Sequence, residues 1–163
     1  MKLIGASVLV CMLAITAAEA KPAQVAPVSD PVAATKALYA RLEKDDWDAE
    51  LPLSSRLSGL IALDSHEAGG EVGRLDGNYY TNSQDAKISN VTVTSHDVDN
   101  TKERKVVVVR FKNIDKMMEN HLFFEHTKAG WVMDDLRYVD PKDGYTLSLL
   151  LKYGYDVYDE PKH

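Results

Sequence analysis

Cysteine is nearly absent from this chain. The sequence contains one cysteine, Cys11, and it lies within an apolar stretch near the N-terminus. We expect that stretch to be removed as a secretory signal peptide, so the remaining chain would carry no thiol. Disulfides, thiol catalysis and cysteine-ligated zinc are then excluded by residue inventory alone.

The N-terminal segment has the parts of a signal peptide. Residues 1–2 give a short positive start, an almost wholly apolar run follows, and Ala-Glu-Ala at residues 18–20 has the small-x-small pattern that precedes cleavage. A membrane anchor is the alternative, but the run is shorter than the roughly 20 residues that a spanning helix needs. We therefore expect residues 1–20 to be cleaved after Ala20, which leaves a periplasmic or secreted protein without a membrane anchor.

A basic stripe is also missing. Asp and Glu outnumber Lys and Arg by 25 to 19, and the formal net charge is −6 at pH 7. Cleavage after Ala20 would leave 24 acidic against 18 basic residues, so the balance would not change. An acidic surface of this kind argues against nucleic acid and anionic membrane as partners.

The first half of the chain is predicted to be helical. Asp30-Pro31 is typical of a helix start, and apolar residues at helical spacing continue to Leu42. A second helix is predicted from Ser54 or Ser55 to about residue 67, with Gly59 as a candidate for close packing against a sheet. Residues 71–85 then form an irregular segment, and loops of that length are uncommon unless they are functional.

The second half is predicted to be an antiparallel meander. β-rich runs lie at about 87–98, 104–112, 118–126 and 131–139, with turn residues between them. A short, very apolar helix is predicted at about 146–153. The fold class is therefore α+β, with N-terminal helices packed on a four-stranded antiparallel sheet and a short C-terminal helix. We expect a flexible leader at 21–29, one domain at 30–154 and a tail at 155–163.

Motifs of established chemistry are missing as well. The sequence has no GxSxG motif and no phosphate-binding loop, and no spacing brings three metal ligands together. His121 and His126 are five apart on one predicted strand, so they should face opposite ways. We expect neither a metal nor a cofactor.

Asp134 and Asp135 are the strongest candidates for chemistry. Neighbours on a strand point to opposite faces, so these two carboxylates are not expected to act together. Apolar residues on both faces of the strand should leave at least one of them partly buried. Such an aspartate could act as a general base. The alternative is a structural aspartate that binds loop amides or pairs with Arg110 or Arg137.

An aromatic cluster is the other candidate site. Trp131 is expected to line the open end of the sheet together with Tyr79 and Tyr80 from the irregular segment. Asp85, at the end of that segment, is a further candidate for ligand binding. A cluster of this kind is either a ligand pocket or plain core.

Two stretches carry a family likeness. They are GEVGRLDGNYYTNSQD (70–85) and the run that begins KVVVVRFKN at residue 105 and ends LLLKYG at residue 154. Together they resemble bacterial envelope proteins with the domain of unknown function 3828, over about residues 31–154. The family is similar in outline to nuclear transport factor 2-like cones, so the resemblance implies export and a curved, cone-like sheet. It implies no activity, and Ala86 stands where relatives have a tryptophan.

Two functional hypotheses follow. The first is a non-catalytic periplasmic binding module, of the inhibitor or immunity type, that engages a protein or a small ligand. The second is a small cone-fold enzyme, isomerase-like or dehydratase-like, in which a buried aspartate abstracts a proton. The second requires Asp134 or Asp135 to have a pKa well above the usual ~3.9.

Overall fold

The computed structural model describes residues 25–155. The predicted signal peptide, the first part of the predicted leader and residues 156–163 of the predicted tail lie outside the described residues. The described chain has the predicted α+β class, with three helices and one antiparallel sheet whose strands follow each other in chain order. The elements are α1 (Pro31–Leu42), α2 (Ser55–Ala68), β1 (Ile88–Asp97), β2 (Arg104–Asn113), β3 (Lys116–Thr127), β4 (Gly130–Tyr138), β5 (Tyr145–Thr146) and α3 (Leu147–Tyr153).

The sheet has five strands, so the prediction of four strands is wrong. The additional strand is β5, which has two residues and pairs with the end of β4 through Arg137↔Thr146 and Tyr138↔Tyr145. Two residues are too few to show an alternating pattern, so the sequence did not indicate a strand there.

The helix ends follow from local chemistry. The Asp30 side chain accepts hydrogen bonds from the backbone amides of Val32 and Ala33 at 2.8 and 3.2 Å, which caps α1. Helix α2 ends at Gly69, whose φ of 59° is the left-handed conformation that glycine adopts readily. Gly59, inside α2, does not mark close packing, because a Cβ placed there would meet no atom within 4 Å.

One face of the sheet forms the core together with the helices. Val107, Val109 and Phe111 alternate along β2 and are fully buried. The Phe111 ring lies 5.3 Å from that of Tyr39 in α1. Each large apolar side chain buried in this way stabilises the fold by about 1.5–3 kcal/mol. The same cluster includes Leu38, Leu42, Leu57, Leu122, Phe124, Met133, Leu136, Leu147, Leu150 and Leu151.

The opposite face of β2, β3 and β4 is here called the open face. Its side chains are offset by one residue from the core positions, and none of them belongs to the core cluster. Val106 and Val132 are nevertheless buried on it, and Phe123 is half-buried. Other open-face residues of these strands include Arg104, Val108, Arg110, Glu119, His121, Glu125, Asp135 and Arg137.

The outer edge of β4 is covered by three short segments. Val28 exchanges two backbone hydrogen bonds with Trp131, at 3.0 and 2.8 Å, although it falls within the predicted flexible leader. Leu53 forms a parallel bridge to Met133. Strand β5 covers the far end. Covering an edge in pieces protects it from pairing with another chain.

A β-bulge interrupts β4 between the Leu53 bridge and β5. Phe123 of β3 is opposite Asp135, and the next residue, Phe124, is opposite Met133, so Asp134 is an additional residue without a partner. The bulge lets Met133 and Leu136, three positions apart, both face the core.

Candidate functional site

Asp134 at the bulge is held by the start of α2. The hydroxyl of Ser54, the residue that caps α2, donates to one of its carboxylate oxygens at 2.6 Å. Arg56 donates from Nε to the same oxygen at 3.0 Å and from Nη2 to the other oxygen at 2.9 Å. This two-pronged contact is among the stronger ion pairs that proteins form.

Asp135 is held by the start of α3. The backbone amide of Ser148 donates to Oδ1 at 3.1 Å, and the Ser148 hydroxyl donates to Oδ2 at 2.6 Å. Thr146 occupies the capping position of α3, but its side chain makes no capping hydrogen bond. Asp135 therefore supplies from a neighbouring strand the acceptor that a capping residue normally supplies.

Arg56 joins the two aspartates. Its Nη2 lies 2.9 Å from Asp134 Oδ2 and 3.5 Å from Asp135 Oδ2. The expectation that the two carboxylates point apart is wrong here, because the bulge breaks the alternation on which it depended. The predicted cation partners are wrong too: Arg110 bonds Glu119 at 2.5 Å, and Arg137 has no ion pair within 4.0 Å among the described residues. Sequence analysis missed Arg56, which no motif marks beyond its place two residues after the Ser54 cap.

The electrostatics of Asp134 do not suit a base. Partial burial raises the pKa of this carboxyl, but the hydrogen bonds from Arg56 and Ser54 outweigh burial and hold the pKa below its usual value. A general base at neutral pH needs a raised pKa and an accessible oxygen. The contacts of Asp134 and Asp135 are those of groups that fasten two helix starts to the sheet.

The Tyr79–Tyr80 pair belongs to the core. Tyr80 is 1% exposed, and its hydroxyl accepts from the Leu51 amide at 3.1 Å. Its backbone carbonyl accepts from the Tyr39 hydroxyl at 2.8 Å and from Asn120 Nδ2 at 2.7 Å. Tyr79 is half-buried, with its ring 4.3 Å from that of Tyr80. Burial raises the pKa of both hydroxyls, so both stay neutral.

Trp131 and Asp85 lie in other places. Trp131 is half-buried at the start of β4, edge-on to His126 at 4.9 Å, with Lys105 Nζ 5.8 Å from the ring centre. Asp85 is exposed, and its backbone carbonyl accepts from the Ser83 hydroxyl at 2.9 Å. The candidates proposed from the sequence therefore fall into separate locations and do not form one pocket.

Two adjoining clefts lie along the open face. The first has a volume of about 410 Å³ and the second about 470 Å³. Glu125 and Asp134 line both clefts, so the two share a wall. Pro27, Leu53, Ser54, Ser55, Arg56, Thr127 and Val132 complete the first; Val98, Arg104, Lys105, Phe123, Phe124, Asp135, Arg137 and Thr146 complete the second.

The second cleft presents charged groups that form no close ion pair, although the charge of Arg104 acts at longer range on Asp99 and Asp134. Arg104 and Arg137 are exposed, and within residues 25–155 neither has an ion pair within 4.0 Å. Glu125 is equally without an ion-pair partner in that range. The half-buried Phe123 ring lies between these groups in the sheet register. The cleft thus combines free charges with an apolar floor.

Two kinds of feature do not occur in the part of the chain that the structure describes. No group of three or more His, Cys, Asp or Glu side chains is arranged to hold a metal ion. No helix between residues 25 and 155 is long and apolar enough to cross a bilayer.

Comparisons of the chain with protein-family models, with curated proteins and with solved structures found no match. The resemblance to envelope proteins with the domain of unknown function 3828 therefore stays a prediction.

Proposed function

We propose that this protein is an exported, non-catalytic binding module that binds its ligand on the open face of the sheet. The observation that carries the proposal is the pair of adjoining clefts there, bordered by Arg104, Arg137 and Glu125, whose charges make no ion pair in the described chain. Clefts of about 300–1,000 Å³ are typical of small-ligand sites. We therefore propose first that the ligand is a small molecule. An inhibitor or immunity-type module that receives a side chain of a protein partner is the second.

We further propose that the sheet is curved in the cone-like manner that the family resemblance implies. Residues of all three helices contact residues of one sheet face in a single core, which supports this arrangement. The bulge in β4 supports it too, since a bulge bends its strand and increases the local twist. The open face would then be the outer face of the cone.

The enzyme hypothesis finds less support. It needs an aspartate with a raised pKa and a free oxygen, whereas the pKa of Asp134 is lowered and its two oxygens bind Ser54 and Arg56. Asp135 uses both of its oxygens on Ser148. A substrate would have to compete with these contacts for the oxygens of either carboxylate.

The test is an NMR titration of the ¹⁵N-labelled chain without residues 1–20. A small-molecule extract of the envelope fraction is added, and shifted amides are mapped onto the structure. We expect shifts at open-face residues such as Phe123 and Glu125. Shifts confined to residues 71–85, or no shifts at all, would overturn the proposal.

A pair of charge reversals sharpens the test. Glu125→Lys changes the shared wall of the clefts without removing an ion pair of the described chain, and we expect it to change the size of the shifts several-fold. Glu71→Lys makes the same change in charge on the irregular segment, where the side chain is exposed, and should leave them as they are. Equal effects of the two variants would mean that net charge, and not the open face, governs the response.

A further inference from the structure

The second cleft has the chemistry to bind a particular class of small molecule. Resting on the proposed binding role of the open face, we infer that this cleft takes an organic dicarboxylate, an acid with one carboxylate at each end of an apolar body. The inference comes from the positions of Arg104, Phe123 and Arg137.

The sheet register places the two arginines on opposite sides of the phenylalanine. Phe123 lies between Val106 of β2 and Asp135 of β4. Arg104 is two residues before Val106, and Arg137 is two residues after Asp135, so each is a diagonal neighbour of Phe123. Diagonal neighbours in a sheet lie about 7–8 Å apart, within reach of a long side chain. The two arginine positions therefore lie at opposite corners around one half-buried ring, and both residues line the cleft.

These two arginines are the cations of the second cleft that have no ion pair in the described chain, since its third cation, Lys105, pairs with Asp97 at 2.9 Å. Arg110 on the same face is bound to Glu119 at 2.5 Å, and Arg56 beside the cleft is bound to Asp134. A planar guanidinium without a partner matches a carboxylate in a two-pronged contact, and it does so best where neighbouring apolar surface limits water.

The carboxylates of the cleft determine how much each arginine contributes to binding the ligand. Asp134 and Asp135 are bound by Arg56 and by two serine hydroxyls and form no close ion pair with the cleft arginines, although the charge of Arg104 acts on Asp134 at longer range. Glu125 is opposite Arg104 in the register and weakens the positive field on that side. We therefore expect Arg137 to contribute more of the affinity than Arg104.

The apolar part of the ligand would lie on the floor of the cleft. Phe123 is half-buried there, and Val98 at the rim is 52% exposed. A chain of several methylene groups between the two carboxylates would cover this surface and gain about 0.8 kcal/mol for each CH₂ removed from water.

The experiment is an NMR titration of the chain without residues 1–20, using octanedioate as the probe and 1,8-octanediol as its uncharged match. We expect octanedioate to shift the amides of Arg104, Phe123 and Arg137, and we expect the diol to shift them far less. Arg137→Gln should raise the Kd roughly fivefold or more, and Arg104→Gln should raise it by a smaller factor. The control is Arg110→Gln, which removes a cation from the same face outside the cleft and should change the Kd less than about twofold.

Two results would overturn the inference. Equal shifts with octanedioate and the diol would show that the carboxylates are not recognised. An equal loss with Arg110→Gln would show attraction by general surface charge. If octanedioate fails while the envelope extract still shifts open-face amides, the ligand class is wrong and the binding role stands; if both fail, the binding role falls as well.

Discussion

At the scale of single residues, Asn120 is a polar side chain that is fully buried in the apolar core. It is 0% exposed and lies on the core face of β3. Its amide group donates to the Tyr39 hydroxyl at 2.9 Å and to the Tyr80 carbonyl at 2.7 Å. Its side-chain oxygen has no hydrogen-bond partner among the described residues. The position therefore requires the two N–H donors of the amide group. The side-chain oxygen that comes with them is buried without a hydrogen bond, which lowers the stability of the fold.

Asn120→Asp should destabilise the protein strongly and in a pH-dependent way. The substitution puts an acid beside two oxygens at a fully buried position, so burial will raise the pKa of the new carboxyl. A raised folded-state pKa means that stability is present at low pH and lost as the pH rises through it. We expect a loss of about 3 kcal/mol at pH 7 and clearly less at pH 4, measured by urea unfolding.

The matched control for that prediction is Asn120→Leu. It removes both donors and the unpaired oxygen together, and the Tyr80 carbonyl keeps its bond from the Tyr39 hydroxyl. Its cost should be smaller than that of the aspartate variant and independent of pH. A pH-independent loss in the aspartate variant would contradict our account of the site.

At the scale of elements, helix α3 depends on strand β4 for its start. Seven residues form few internal hydrogen bonds, and short helices are marginal without outside support. Asp135 provides that support through the amide and hydroxyl of Ser148. A carboxylate near a helix N-terminus also interacts favourably with the helix dipole.

Asp135→Ala should therefore loosen α3 more than the rest of the molecule. We expect a loss of about 2 kcal/mol in the free energy of unfolding, because the Ser148 amide and hydroxyl lose their acceptor together. Urea unfolding gives the global value, and hydrogen exchange of the amides in 148–151 gives the local one. Asp135→Asn keeps one acceptor oxygen and should lose about half as much. Unchanged exchange in α3 would show that the contact does not hold the helix.

At the scale of the whole molecule, several carboxyl groups favour the folded state in their charged form. Hydrogen bonds from His121 and Arg110 lower the pKa of Glu119. The Lys116 ammonium, with nearby backbone amides, lowers the pKa of Asp140. At Asp134 the contacts with Arg56 and Ser54 outweigh burial and lower its pKa in the same direction. A charged form that is bound in this way stabilises the fold as long as the group stays ionised.

The free energy of unfolding should consequently fall in acid. A lowered folded-state pKa contributes stability above the unfolded value, ~3.9 for Asp and ~4.3 for Glu, and that contribution is lost as the pH falls through the folded value. We expect a plateau from about pH 7 to 5 and a decline below about pH 4 in a series of urea titrations. Asp134→Asn should make the decline shallower. A rise in stability toward pH 4 would instead mean that relief of the net negative charge dominates.

Sequence analysis predicted the parts of this molecule that local chemistry determines. Asp30 begins α1 as expected, the fold class is confirmed, and the meander order follows from turn residues between β-rich runs. The bulge at Asp134 was not predictable, because β4 has apolar residues on both faces and its sequence does not show where the alternation shifts by one residue. The partner Arg56 was not predictable either, since it lies 78 positions from Asp134 in the chain. The sequence left Tyr80 in either a ligand pocket or the core, and only the long-range hydrogen bonds of the fold place it in the core.

The bulge also divides strand β4 into two parts, which differ in which alternate residues face the core. On the C-terminal side of Asp134, even-numbered residues such as Leu136 face the core; on the N-terminal side, odd-numbered residues such as Met133 do. Deleting residue 134 would restore one regular alternation, because Met133 would be followed directly by Asp135 and both Met133 and Leu136 would still face the core. The deletion would remove the local bend and twist that a bulge gives its strand. It would also remove the contacts of Ser54 and Arg56 with Asp134, so the bulge residue is the point at which β4 can hold the start of α2 without disturbing its own core face.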